Sequence, residues 1–153
     1  MLISLLLAAA VPPAACPPNS GPAVLVDVTG FKNRAGQVRV RVFGGPPSNY
    51  FNRKRALTRI EWPVPASGRV TACVPVPRAG VYAVDVRHDV NNNGDTDRSD
   101  GGGASGNPRT TLIDVLLSRK PNPRTVQVQV GNGTTAVPIT LLYLKGGAFR
   151  PAG

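Results

Sequence analysis

The chain has 153 residues, 41% of them apolar, with 17 glycines, 16 prolines and two cysteines; that length suits one domain with a proper core, and no apolar run approaches the roughly 20 residues of a helical membrane span. Eighteen Lys and Arg against eight Asp and Glu give a net charge of +10. The basic residues are scattered, with only Arg53-Lys54-Arg55 clustered, and eight aromatics are few for stacking bases, so a solvated basic surface is expected and nucleic acid is set aside as a partner.

The chain opens with an apolar run, Leu2 to Val11, followed by Pro12-Pro13-Ala14-Ala15-Cys16. This ten-residue run, apolar except for Ser4, matches the central region of a secretory signal, with small residues at Ala8-Ala9-Ala10 or at Ala15 for cleavage. This predicts a signal peptide over 1–15, a single domain over 16–153, and a secreted or periplasmic protein of the cell envelope, monomeric and without a membrane-spanning segment after signal removal. Two readings are open for Cys16. Ala14-Ala15-Cys16 resembles a lipoprotein processing site, although Pro13 stands where an aliphatic residue is usual. An even cysteine count in an exported chain instead predicts a disulfide between Cys16 and Cys73.

Short runs of alternating character follow, separated by Gly and Pro. They predict strands over Ala23 to Thr29, Gln37 to Phe43, Leu57 to Trp62, Gly68 to Val74, Val81 to His88, Thr111 to Leu117, Thr125 to Val130 and Ala136 to Leu144. In Gln37-Val38-Arg39-Val40-Arg41-Val42 the valines share one face and the polar residues the other, as in a half-buried antiparallel strand. Seven to eight such strands predict an all-β antiparallel sandwich. Between the second and third, Ser48 is expected to cap one helical turn with Phe51 as its core plug. Proline in Trp62-Pro63-Val64-Pro65 and Val74-Pro75-Val76-Pro77 predicts strand ends or edges, because it gives up the ladder N–H.

Chemistry is suggested by one stretch, His88 to Asp100. Oxygen-bearing side chains fall at loop positions 1, 3, 5, 9 and 12 (Asp89, Asn91, Asn93, Asp97, Asp100), with Gly94 at position 6 and the Asp95 carbonyl at position 7, the spacing that wraps calcium. Four of the eight acids of a basic chain lie here. The glycine-rich run 101–107 excludes the helix that follows such a loop in an EF-hand. The alternative is an Asn/Asp/Gly connection that bonds its own backbone and binds no ion. His88 is expected at the end of its strand, holding loop backbone through a ring N–H. As a metal ligand it lacks a second His or a nearby Cys, and as a base beside Asp89 in a hydrolase it lacks a nucleophile.

Gly80-Val81-Tyr82-Ala83-Val84, leading into His88-Asp89-Val90-Asn91-Asn92-Asn93-Gly94 and Asp97, resembles the signature of the bacterial exported proteins grouped as domain of unknown function 2141. The resemblance runs from about Val24 to Leu144. It implies a transthyretin-like or immunoglobulin-like β-sandwich in the cell envelope, with no activity attached. The chain departs from that family at Gly102-Gly103-Ala104-Ser105-Gly106-Asn107-Pro108, where Ala104 replaces an aromatic residue. The resulting expectation is a non-enzymatic binding or accessory module whose loop is stiffened by calcium and faces an envelope protein or glycan. Two alternatives are a structural domain without metal and a cationic protein held on anionic envelope polymers.

Overall fold

The computed structural model describes residues 15–152, so the leader over 1–15 lies, apart from Ala15, outside the described residues. In chain order the elements are β1 (Ala23–Thr29), β2 (Gln37–Phe43), a 3-10 turn (Pro47–Asn49), β3 (Thr58–Pro63), β4 (Val70–Pro75), β5 (Gly80–Asp89), β6 (Gly101–Ala104), α1 (Leu112–Leu116), α2 (Pro123–Val126), β7 (Val128–Val130), β8 (Thr134–Thr140), β9 (Leu142–Lys145) and β10 (Ala148–Arg150). Two sheets pack into a β-sandwich. The smaller runs β4-β1-β8; the larger runs β10-β9-β6-β5-β2-β3, with β7 added beside the start of β5. Among the described residues no helix is long and apolar enough to cross a membrane.

Period-two alternation builds the core. Val24, Val26 and Val28 of β1 and Val70, Ala72 and Val74 of β4 face Val38, Val40 and Val42 of β2 and Val84 and Val86 of β5 across the sandwich, all of them buried. Trp62, Ile139, Leu141 and Tyr143 belong to the same cluster. A second cluster of Phe43, Tyr50, Ala83, Ala104 and Val126 is separate from it. Ala104, where the family signature has an aromatic, therefore packs beneath residues brought in by the 3-10 turn and α2. Both proline-marked strands lie at sheet edges and end at proline, β3 at Pro63 and β4 at Pro75. Cys73 of β4 bonds Cys16, with Cα atoms 5.0 Å apart, which leaves Cys16 no thiol for the lipid that the alternative reading required.

Several expectations are corrected. There are ten strands among the described residues, not seven or eight. The sandwich is not wholly antiparallel, since β1 and β8 run parallel from Ala23↔Thr134 to Thr29↔Thr140; the long chain between them permits the same direction. Thr111 to Leu117 is helix, not strand: Thr111 Oγ1 accepts from the Asp114 N–H while Asp114 accepts from the Thr111 N–H, and this capping box outweighs the β-propensity of Ile and Val where no partner strand is at hand. Thr125 to Val130 divides into the last residues of α2 and β7, because Asn122 caps a turn opened by Pro123. Ala136 to Leu144 breaks at Leu141, whose N–H bonds the Thr29 carbonyl. Ser48 caps nothing; Pro46 holds the cap position, Pro47 opens the turn, and the buried plug is Tyr50, with Phe51 only half-buried. The glycine strand β6 and the short β10 carry too little side-chain pattern to be foreseen.

Candidate functional site

β5 delivers the site. Its alternation turns Val84, Val86 and His88 into the sandwich and Asp85 and Arg87 out of it. His88 is wholly buried. Its Nε2 lies 2.7 Å from the Ala35 carbonyl and its Nδ1 2.6 Å from Tyr143 Oη. A carbonyl can only accept, so Nε2 carries the proton and Tyr143 donates its hydroxyl to Nδ1. The Lys32 N–H donates in turn to Tyr143 Oη. Burial lowers the His88 pKa from its ordinary value, and burial pushes the Tyr143 phenol up to about 12. His88 does bond loop backbone through a ring N–H, but the loop is 30–36, not its own. Gly36 closes this contact: its φ is +69, and a Cβ there would overlap the Asp89 carbonyl oxygen.

The neutral imidazole makes stability pH-dependent. The unfolded chain takes up a proton near pH 6.5, whereas the folded chain resists it until lower pH. Unfolding stability should therefore be complete above about pH 6.5 and fall on acidification, with a slope approaching ~1.4 kcal/mol per pH unit. Chemical unfolding between pH 7.5 and about pH 5 checks this; a His88→Gln variant with the same slope as the parent would remove His88 as the cause.

Beyond Asp89 the chain turns out of the sheet, and the carboxylates of the loop are spent mainly on its own backbone. Asp89 is 1% exposed and accepts from the N–H groups of Asn93 (3.3 Å) and Gly94 (2.9 Å). Asp100, also buried, accepts from the N–H groups of Val90 (3.1 Å) and Asp97 (3.2 Å), closing the loop base. Gly94, at φ +79, supplies the turn for which position 6 needs glycine. Asn93 accepts from the Asp95 N–H; Asp95 is exposed. Asp97 gathers the outer side chains, with the Asn91 amide at 2.7 Å, the Asn93 amide at 3.1 Å and Ser99 bonded through both its N–H and its hydroxyl. These bonds, that from Ser99 foremost, hold the Asp97 carboxyl down at about 2.

A cation already braces the inner half. Arg87, buried beneath the loop, donates to the Gly94 carbonyl (3.2 Å) and Thr96 Oγ1 (3.0 Å) and lies 3.7 Å from the Asp89 carboxylate. The six residues expected around an ion thus separate. Asn91, Asn93 and Asp97 converge, Asp89 and Asp100 are bonded to backbone, and the exposed Asp95 joins the first group only through its N–H. Among the described residues no cluster of three or more His, Cys, Asp or Glu side chains is arranged to hold a metal ion. Cys73 lies in the smaller sheet and Cys16 is bonded to it from the segment before β1, apart from the loop. Sequence reasoning missed Arg87, Thr96, Tyr143, Lys32 and Ala35. Arg87 alone carried a local signal, as a cation on the outward face of the strand that enters an acidic loop.

Fold and site together define a small all-β sandwich with an acidic loop seated on a buried histidine. The chain belongs to the family of uncharacterized proteins conserved in bacteria (DUF2141), whose model matches residues 26–138. No curated protein and no solved structure matches it.

Proposed function

We propose that the protein is a non-enzymatic binding or accessory module of the bacterial cell envelope that presents the 89–100 loop as a preorganised recognition surface to an envelope protein or glycan. The observation that carries this is the internal bracing of the loop: Asp89 and Asp100 each hold two backbone N–H groups while Arg87 ties Gly94 and Thr96 to β5. A loop ordered before binding loses little entropy on contact, which favours recognition. His88 supports the non-catalytic reading, since both its ring nitrogens are committed to Ala35 and Tyr143 and a general base needs a free one. The disulfide supports an oxidising compartment. Immobilised protein should retain solubilised envelope components that a variant with residues 90–99 replaced by a glycine-serine linker, checked for an intact sandwich by its thermal midpoint, does not. Equal retention by both would end the reading.

Calcium stiffening is a second reading, favoured by the convergence of Asn91 and Asn93 on Asp97, although both amides donate their N–H groups to that carboxylate and would have to turn their oxygens inward to bind an ion. The amide oxygens of those two residues, the Asp97 carboxylate and the Asp95 carbonyl are the donors that a hard cation would take. Calcium at one hundred times its dissociation constant should add about 2.7 kcal/mol, several degrees in thermal midpoint, and Asp97→Ala should abolish the increment. If calcium and chelator give the same midpoint, the loop is held by Arg87 and its own carboxylates alone.

A further inference from the structure

Amphipathic surface helices turn their apolar face towards the core. α1 does the reverse. Leu112, Ile113, Val115, Leu116 and the cap residue Leu117 are all exposed, Ile113 by 60%, Leu116 by 74% and Leu117 by 58%, and no residue of the helix is buried. At about 100° per residue these five side chains sweep an arc of about 200°. Asp114 lies within the remaining arc, its carboxylate turned back onto the Thr111 N–H and hydroxyl. The capping box, not packing, holds the helix in shape, and its aliphatic arc is left facing water. Exposed apolar residues gathered in this way mark a contact surface.

The surroundings select the occupant. Arg109, Arg119, Lys120 and Arg124 flank the helix, all exposed, and Asp114 is the one acid between residues 105 and 127. Lys120 Nζ also donates to the Tyr50 carbonyl, fastening the base of the segment to the second core cluster. Protein-binding patches draw their energy mainly from Trp, Tyr and Arg, with Leu and Val under-represented at their centres. This patch has only Leu, Ile and Val at its centre and no aromatic between residues 105 and 127. An exposed aliphatic turn with exposed basic residues on both sides of it in the chain suits a bilayer boundary, where the aliphatic side chains enter the acyl region and the cations stay with phosphate headgroups. The charge of +10 on the whole chain favours the same approach.

We propose that α1 and its basic flanks form a peripheral anchor that inserts into an anionic lipid surface. The anchor is separate from the 89–100 loop and stands without the reading given to that loop.

Sedimentation with vesicles tests it. In about 0.1 M salt the protein should partition at least about tenfold more into equimolar phosphatidylcholine/phosphatidylglycerol vesicles than into phosphatidylcholine alone, and high salt should erase the preference. Ile113→Asp/Leu116→Asp should cut binding at least about tenfold with the thermal midpoint unchanged, since both residues are exposed. Should that variant misfold, Ile113→Ser/Leu116→Ser serves in its place. Arg119→Gln and Arg124→Gln should each reduce anionic binding about fivefold. A parent that shows no preference for the anionic vesicles, or aspartate and serine variants that bind as well as the parent, would overturn the anchor. So would a parent dimer that the aspartate variant dissolves, without vesicle binding, because the patch would then be an interface between two copies.

Discussion

Asp89→Ala is expected to destabilise the domain by about 3 kcal/mol, near the lower end of the cost of breaking a buried ion pair. The carboxylate has three duties: it accepts from the Asn93 and Gly94 N–H groups and stands beside the Arg87 guanidinium. Its removal leaves those donors without their acceptor and Arg87 buried without its counter-charge. In the β2–β5 register Arg87 lies directly opposite Arg39, whose own pKa is lowered to about 10 by burial and then by the charges of Arg41 and Arg87, so an unbalanced Arg87 adds like-charge repulsion. Urea unfolding should register the loss, and the thermal midpoint should fall by roughly 10 °C. Asp89→Asn, which keeps one acceptor oxygen and the shape, should cost less. A loss below about 1 kcal/mol for Asp89→Ala would show that the loop is braced by something other than this carboxylate.

Removing the Cys16–Cys73 bond, by Cys16→Ser/Cys73→Ser or by reduction, should have the largest effect. The two residues are 57 apart in sequence, and closing a loop of that length restricts the unfolded chain by about 4 kcal/mol in the chain-entropy account. Cys73 lies in β4, an edge strand of the smaller sheet that pairs with β1 alone, so the bond also ties residues 16–22 to a strand with few other partners. Unfolding of the oxidised and reduced forms under identical conditions measures the difference. A change under about 1 kcal/mol would mean that the unfolded chain gains little freedom on reduction, through residual structure in the 16–73 segment.

Two alternating strands were legible from residues alone. β2 falls where Val38-x-Val40-x-Val42 requires and the body of β5 where Tyr82-x-Val84-x-Val86 does, because a period of two has one arrangement that buries one face; the same alternation in Thr125 to Val130 became strand only over β7, since the Asn122 cap and Pro123 open a helical turn that runs to Val126. The 89–100 loop was legible as well, since Asn, Asp and Gly at alternate positions have few conformations other than a tight turn on their own backbone. Thr111 to Leu117 misled, because a run of Leu, Ile and Val reads as strand until the Thr111–Asp114 capping box is weighed. β6 was invisible: glycine has no side chain to alternate, and Gly101 is suited to its place because a Cβ there would strike the Tyr143 ring.

By itself, then, the sequence determined what depends on neighbours a few residues apart: the alternating strands, the self-bonding loop, the capped helix and the supply of two cysteines. Tertiary structure decided who meets whom. Ala35 and Tyr143 reach His88 from 53 and 55 residues away, β8 pairs parallel with β1 across most of the chain, and Arg87 rather than a neighbouring acid sets the charge beneath the loop. It also left the aliphatic arc of α1 facing outward. Local pattern fixes a side chain's periodicity, but its partners follow from strand order and register, which emerge only when distant segments compete for the same buried surface.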